Sequence, residues 1–245
     1  MRHSLIKIEG LSKSFIKNNI FSNINLSVDE GQILTIIGGS GQGKSVLLKC
    51  IIGLIDADEG QVFYDGAVLT QKNKFEFIRN FGVLFQGAAL FDSMPVWENI
   101  SFQFKYSGLL SNNERLELAK RKLDLVGLPE ATAYLFPSEL SGGMQKRVGI
   151  ARAIAANPKV LFFDEPTSGL DPIMSNTVNK LIRSLVKELG TTAITISHDL
   201  NSIRLISDII ALLHQGHIDF VGTIDDFEAT ENKNIKRFIK PNSIK

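Results

Sequence analysis

Residues 33–46 read ILTIIGGSGQGKSV, and Gly38, Gly43, Lys44 and Ser45 fall in the G-x-x-x-x-G-K-S spacing behind a run of strand formers. At average residue usage this pattern arises by chance in roughly one chain in a hundred of this length. It also demands a particular local fold, a strand that enters a tight loop opening directly into a helix. The following VLLKCIIGL supplies that helix. Glycines let successive main-chain N–H groups curl around phosphate oxygens, and the helix N-terminus adds a favourable partial charge. Gly38, Gly39, Ser40, Gly41, Gln42, Gly43, Lys44, Ser45 and Val46 therefore form the candidate phosphate cradle. Lys44 is assigned to the β- and γ-phosphates and the Ser45 hydroxyl to Mg²⁺.

Short runs rich in Ile, Val, Leu and Phe recur between helical patterns: FGVLF at 81–85, VLFFD at 160–164, TTAITIS at 191–197 and DIIALL at 208–213. Such alternation predicts an α/β domain with a largely parallel, buried sheet. The earlier LIKIEGLSKSF and IFSNINLSV, with QVFYDGAVL and its Asp-Gly turn, predict an antiparallel β layer beside it. Between Gln86 and Asn157 helical signals take over. VWENISFQFKY comes first, then SNNERLELAKRKLDLVGL from a Ser/Asn cap to Gly127 and Pro129. GGMQKRVGIARAIAAN follows, with Met144, Val148, Ala151 and Ala155 on one stripe. The expectation is a single domain over 1–245: a β layer and α/β core in 1–89 and 157–222, a helical lobe inserted at 90–156, and a tail at 223–245. The tail's basic ENKNIKRFIKPNSIK reads as solvated or loosely docked.

Charge and cysteine usage narrow the function classes. With 27 basic and 26 acidic residues the net charge is +1, so no broad field exists for nucleic acid or anionic membrane and any anion must be bound locally. No nucleic-acid partner is expected. Cys50 is the only cysteine, which excludes an internal disulfide and a Cys-rich metal site and is compatible with a reducing cytoplasm. Its expected place is the core. The longest apolar runs fall far short of the roughly 18 residues a transmembrane helix requires. The N-terminal MRHSLIKIEGLSKSF lacks the apolar stretch of a secretory signal.

Two further elements bear on chemistry. VLFFDEPTSGLD runs four apolar residues into adjacent carboxylates, Asp164 and Glu165. Neighbours in a strand point to opposite faces, so the pair can divide labour, Asp164 toward the Mg²⁺ shell and Glu165 toward an attacking water. In isolation a strand-end acid pair is commonplace; beside a phosphate loop it reads as catalytic. In LSGGMQKR, Ser141, Gly142 and Gly143 open a helix with small residues that let backbone amides approach an anion. Alone that is also the pattern of a capped helix start.

The phosphate loop, LSGGM, FFDEP, SGLD at 168–171 and SHD at 197–199 occur in the order found in the nucleotide-binding subunits of ATP-binding cassette (ABC) transporters, which the chain resembles along nearly its whole length. The resemblance implies the ABC ATPase fold, a P-loop NTPase core with an antiparallel β layer and an inserted helical lobe. It implies ATP and Mg²⁺ as ligands and a homodimer sandwiching two ATP molecules, each between one copy's phosphate loop and the other's Ser141–Gly143. Phe15 in LSKSF matches the aromatic residue that stacks on adenine, although as a residue pattern it fits β-layer core equally well. Gln86 matches the glutamine near Mg²⁺ and the water, so the expected metal set is Ser45, Gln86 and Asp164. Asp171 would lie at the dimer seam, and His198 would contact the γ-phosphate and hold the water with Glu165. His3, His214 and His217 read as structural. Val46 stands where the family often has Thr or Ser, which removes one hydroxyl contact, and Met144 replaces the usual glutamine of the signature.

In this family the segment after the glutamine forms a groove for a short helix of the membrane permease. QGAALFDSMPVWENI, from Gln86 to Ile100, thus reads as half core and half docking surface, with Leu90, Phe91, Met94 and Trp97 as candidate lining and Asp92 and Glu98 either paired with permease cations or solvated. Within the family, FGVLFQGAALFDSMPVWENI, PSELSGGMQKRVGIARAIA and FDEPTSGLDPI are most similar to the Mla/Mce-type ATPases of phospholipid traffic in diderm bacteria, and amino-acid importers share much of this wording. An Mce-type lipid-binding partner, a small accessory subunit and a peripheral place at the cytoplasmic face of the inner membrane are the corresponding expectations.

Overall fold

The computed structural model describes residues 4–16 and 18–239; His3 and the tail's end, 240–245, lie outside the described residues. Two sheets organise the chain. The first, antiparallel and in the order β2-β1-β4-β5, contains β1 (Ser4–Phe15), β2 (Asn18–Asp29), β4 (Glu59–Tyr64) and β5 (Ala67–Val68). Asp65 and Gly66 turn β4 into β5 with φ of 51° and 77°, the paired left-handed conformation that a two-residue hairpin requires.

The second sheet runs β10-β9-β3-β8-β7-β6. Its members are β3 (Ile33–Ile37), β6 (Phe81–Leu84), β7 (Val160–Asp164), β8 (Thr192–Ile196), β9 (Ile209–His214) and β10 (His217–Gly222). All neighbours are parallel except β10, which returns antiparallel along β9. Every residue of β3, β7 and β8 is buried, because the sheet is covered on both faces and successive side chains feed different cores. Leu34, Phe162 and Ile194 join the core shared with α1 (Lys44–Ile52) and the antiparallel layer. Their neighbours Ile33, Leu161, Phe163 and Ala193 join the core shared with the helical lobe and α6 (Pro172–Leu189). Cys50 lies in the first of these cores, where burial pushes its thiol up to about 11.

A short helix, α2 (Lys74–Ile78), precedes β6. The lobe then leaves the sheet and returns at β7, with α3 (Val96–Ile100), α4 (Asn112–Leu125) and α5 (Gly142–Ala153) linked by 3₁₀ turns. The Ser111 hydroxyl and Glu114 carboxylate form a reciprocal capping box at the start of α4, and Gly127 takes φ 66° just after it ends. α5 stops at Ala153, two residues before the last member of the expected stripe, Ala155, which is buried all the same.

The tail departs from expectation. α7 (Leu200–Ile206) packs with α8 (Ile224–Ala229) and α9 (Lys233–Ile239), where Phe227 and Ile235 are buried against Ile37, Ile203, Ile210 and Leu212. Ile235, Phe238 and Ile239 supply one apolar face at i, i+3 and i+4, so through residue 239 this segment is a docked helical pair rather than a solvated tail. Among the described residues no helix is long and apolar enough to cross a membrane.

Candidate functional site: a nucleotide cleft at the carboxyl edge of the sheet

Because β3, β8, β7 and β6 are parallel, their carboxyl ends share one edge, the place where open α/β sheets bind ligands. The phosphate loop follows β3, Gln86 follows β6, Asp164 ends β7 and His198 follows β8. Gly38 through Val46, Gln86, Glu165 and His198 line one cleft of about 560 Å³, together with Ile20 of β2 and Phe238 of α9.

Two glycines of the loop are dictated by close approach. A Cβ on Gly38 (φ 154°) would lie 2.4 Å from the Leu213 carbonyl oxygen, and one on Gly43 (φ 90°) would lie 2.5 Å from Cγ2 of Ile20. Lys44 is buried, and its ammonium donates to the carbonyl oxygens of Gly38 and Gly39 at 2.9 and 2.8 Å. Burial pulls its pKa down, opposed by the charges of Glu165 and Asp164. The Ser45 hydroxyl donates to Oδ1 of Asp164 at 3.0 Å, and Asp164 is only 4% exposed. Val46 packs its methyls against the core beneath the loop, as expected of an apolar residue in place of a hydroxyl.

The acid pair is split by a different device from the one expected. β7 ends at Asp164, and Glu165 takes φ 51°, a left-handed bend that costs a non-glycine residue about 1–3 kcal/mol. The strand pleat therefore does not separate the two carboxylates; a reversal of the main chain does. The Glu165 N–H donates to the Ile196 carbonyl at 3.1 Å, while its carboxylate lies 2.8 Å from Nδ1 of His198. With the carboxylate accepting, Nδ1 carries the proton.

Ser141–Gly143, Asp171 and Phe15 are not among the residues lining this cleft. Ser141 caps α5 by accepting from the Met144 N–H, and a Cβ on Gly143 would meet Met174 of α6 at 2.5 Å, which places the signature turn beside the start of that helix. Asp171 caps α6, its Oδ1 accepting from the N–H groups of Ile173 and Met174 at 2.9 and 3.0 Å. Phe15 ends β1 with 44% exposure and the Lys13 ammonium 5.2 Å from its ring centre, so it is a surface residue rather than layer core.

The segment after Gln86 straddles core and surface. Leu90 and Trp97 are half-buried and pack against the lobe core, with the Arg115 guanidinium 5.1 Å from the indole ring centre. Phe91 is 41% exposed and lies 4.5 Å, centre to centre, from the ring of Phe102, and Met94 is half-buried. Glu98 is paired within the chain to Lys105 at 3.0 Å, and Asp92 is exposed. Buried Asn99 ties the segment together through bonds to the main chain of Phe91, Met94 and Pro95. Ala88 and Ala89 both take positive φ (64° and 47°), and Arg152 of α5 clamps their carbonyls at 2.6 and 2.7 Å.

Sequence reasoning passed over three residues here. Ile20 and Phe238 reach the cleft from distant segments. Lys146 of α5 is 5% exposed and donates to the Glu165 carbonyl at 3.4 Å. One signal was available for it: Lys146 shares a helical face with Gly149, Ile150 and Ala153, all buried.

A sheet of this order with such a cleft on its carboxyl edge places the chain among the P-loop nucleoside triphosphatases. The ABC transporter family matches residues 21–168. The chain is 35% identical over 246 residues to the intermembrane phospholipid transport system ATP-binding protein MlaF of Haemophilus influenzae, covering 99% of this chain and 93% of that one. It is 40% identical over 235 residues to the methionine import ATP-binding protein MetN of Francisella tularensis, covering 91% of this chain and 65% of that one. It spans about two thirds of the length of the mycobacterial relatives it also matches. The dimeric post-hydrolysis structure of the ATP-binding cassette MJ0796 bound to ADP and Pi superposes with a TM-score of 0.81 at 32% identity, covering 89% of this chain and 98% of that one. The chain belongs to the ABC transporter family and is an ATP-hydrolysing subunit with the ABC ATPase fold. Cassettes of this family form dimers, partner with membrane permeases and couple ATP hydrolysis to transport.

Proposed function

We propose that this chain powers phospholipid transport across the envelope of a diderm bacterium, as the peripheral ATPase of an Mla/Mce-type system held by its permease at the cytoplasmic face of the inner membrane. The observation that carries this reading is the match along nearly the whole of both sequences to the Haemophilus influenzae phospholipid transport ATPase. An Mce-type lipid-binding partner and a small accessory subunit complete the proposed assembly. The experiment is purification of the native complex, with mass spectrometry of its subunits and of co-bound lipid. Phospholipid beside an Mce-type subunit is expected, and a periplasmic amino-acid-binding partner overturns the assignment. The higher identity to the methionine import ATPase supports an amino-acid importer as the second reading. Under that reading methionine, rather than lipid, stimulates hydrolysis by the reconstituted complex.

The chemistry follows from the cleft. Main-chain N–H groups of the loop and the Lys44 ammonium hold the ATP phosphates, concentrating cationic and dipolar groups where negative charge moves during transfer. Ser45, Asp164 and Gln86 form an all-oxygen set with one carboxylate, which fits Mg²⁺ sharing its shell with phosphate oxygens and water. These residues would hold Mg²⁺, which when bound would neutralise charge on the β- and γ-phosphates. Glu165 accepts the proton of the attacking water, which His198 helps to hold. The bond from the γ-phosphorus to the bridging oxygen breaks, leaving ADP and phosphate. Ser141–Gly143 serves a second copy's nucleotide and Phe15 the adenine ring, so two copies make two complete sites. Closure of that dimer and its release after hydrolysis move the permease.

The exposed Phe91, held by Asn99 and backed by Phe102, is the best-formed part of the permease surface. Phe91→Ala should leave hydrolysis by the isolated subunit within about twofold while cutting permease-stimulated hydrolysis roughly tenfold, the scale of a truncated interface aromatic. Unchanged stimulation in proteoliposomes removes Phe91 from that surface.

A further inference from the structure

Glu165 is held in a conformation it does not favour. Its φ of 51° is uncommon for any non-glycine residue, and Pro166 follows it, which restricts the preceding residue further toward extended backbone. Such a bend persists only where the surroundings over-determine it. Both main-chain groups flanking the Cα are restrained. The N–H donates to the Ile196 carbonyl in the sheet at 3.1 Å, and the C=O accepts from the Ser168 N–H at 3.1 Å and from the Lys146 ammonium at 3.4 Å. Pro166 contributes no N–H, and the Ser168 bond is a turn within the same loop, so among the described residues Lys146 is the side chain that ties this carbonyl to a separate element, α5.

Lys146 is costly to keep. It is 5% exposed, and among the described residues its one hydrogen bond is to Glu165. Burial pulls its pKa down, and the charges that oppose this are those of Glu165 and Asp164. A lysine used merely to fill space on an interior helix face is readily replaced by Met or Leu, which bury the same stem without a charge.

We propose that Lys146 is a positioning residue for hydrolysis, fixing the left-handed bend of Glu165 from α5 so that the carboxylate meets His198 and the attacking water. The inference rests on Glu165 acting as the proton acceptor in hydrolysis. Misplacing a reacting group by about 1 Å costs up to roughly a hundredfold in rate.

The test compares Lys146→Met, Lys146→Arg and Lys146→Met in a Glu165→Gln background, using the full chain and Mg-ATP. Lys146→Met should lower kcat between about tenfold and a hundredfold, with KM and the affinity for a fluorescent ATP analogue within twofold and an unchanged melting midpoint. Lys146→Arg retains a donor at the same place and should recover most of kcat. In the Glu165→Gln background the Met substitution should cost nothing further, because it acts through the group already removed. A kcat for Lys146→Met within twofold of the parent overturns the proposal. So does a loss matched by weaker ATP binding or a lower midpoint, or a full additional loss in the double variant. If Glu165→Gln alone turns over normally, the failure belongs to the assignment of Glu165.

Discussion

Lys44→Ala abolishes ATP binding at ordinary working concentrations, as followed by titration with a fluorescent ATP analogue. Lys44 is the only lysine or arginine among the described residues lining the cleft, and its ammonium sits buried over the loop with its stem along Gly38. Truncating one partner of a buried charge pair costs about 2–5 kcal/mol, or roughly thirtyfold to several thousandfold in affinity. The bulk of that cost is the other charge left without its counterion, here a triphosphate. The fold should survive, since what Lys44 holds within the chain is limited to the carbonyls of Gly38 and Gly39. Undiminished affinity in a variant with the parent's melting midpoint would sink the assignment of the loop.

Glu165→Gln separates binding from turnover. The amide keeps the size and planarity of the carboxylate and can still meet Nδ1 of His198, so the cleft is preserved. What it loses is basicity. A positioned general base contributes about 10²–10⁴-fold, and hydrolysis should fall by that much while ATP affinity stays close to the parent's. ATP that binds but is not consumed holds two copies together. Size-exclusion chromatography with Mg-ATP should therefore show the variant as a dimer under conditions where the parent returns to monomer. Near-parental turnover removes Glu165 from its role.

The phosphate loop was legible because its requirements are local. Close approach at Gly38 and Gly43 admits no side chain, and the strand before and the helix after announce themselves by apolar runs. The two sheets were legible for the same reason, β3, β7 and β8 being continuous runs buried on both faces. The convergence of Gln86, Glu165 and His198 on the loop comes from parallel strands, whose ends must share an edge. Features that depend on distant segments were hidden. The bend at Glu165 is held by Ile196 and Lys146, both distant in sequence, as well as by the nearby Ser168 N–H. Lys146 and Lys236 look alike in a helical pattern, yet one is buried in the interior and the other exposed. Of the two expectations for the tail, solvated or loosely docked, sequence could not choose, because its apolar residues are few and sit among lysines; only the receiving surface of Ile203, Ile210 and Leu212 makes Ile235 core. Leu90 and Trp97 were grouped with Phe91 through the family resemblance, and the structure seats these two half-buried against the lobe core while Phe91 stays exposed.

α5 carries three attachments along 12 residues: the signature turn at its start, Lys146 against Glu165, and Arg152 on the carbonyls beyond Gln86. Each residue added to an α-helix rotates the remainder of the rod by about 100° and advances it about 1.5 Å. A single insertion or deletion between Gly143 and Arg152 would swing one attachment to the far side while the others stayed in place. The outward positions of α5 are free to drift in identity, but its count of residues is locked, like the teeth between two gears on a common shaft.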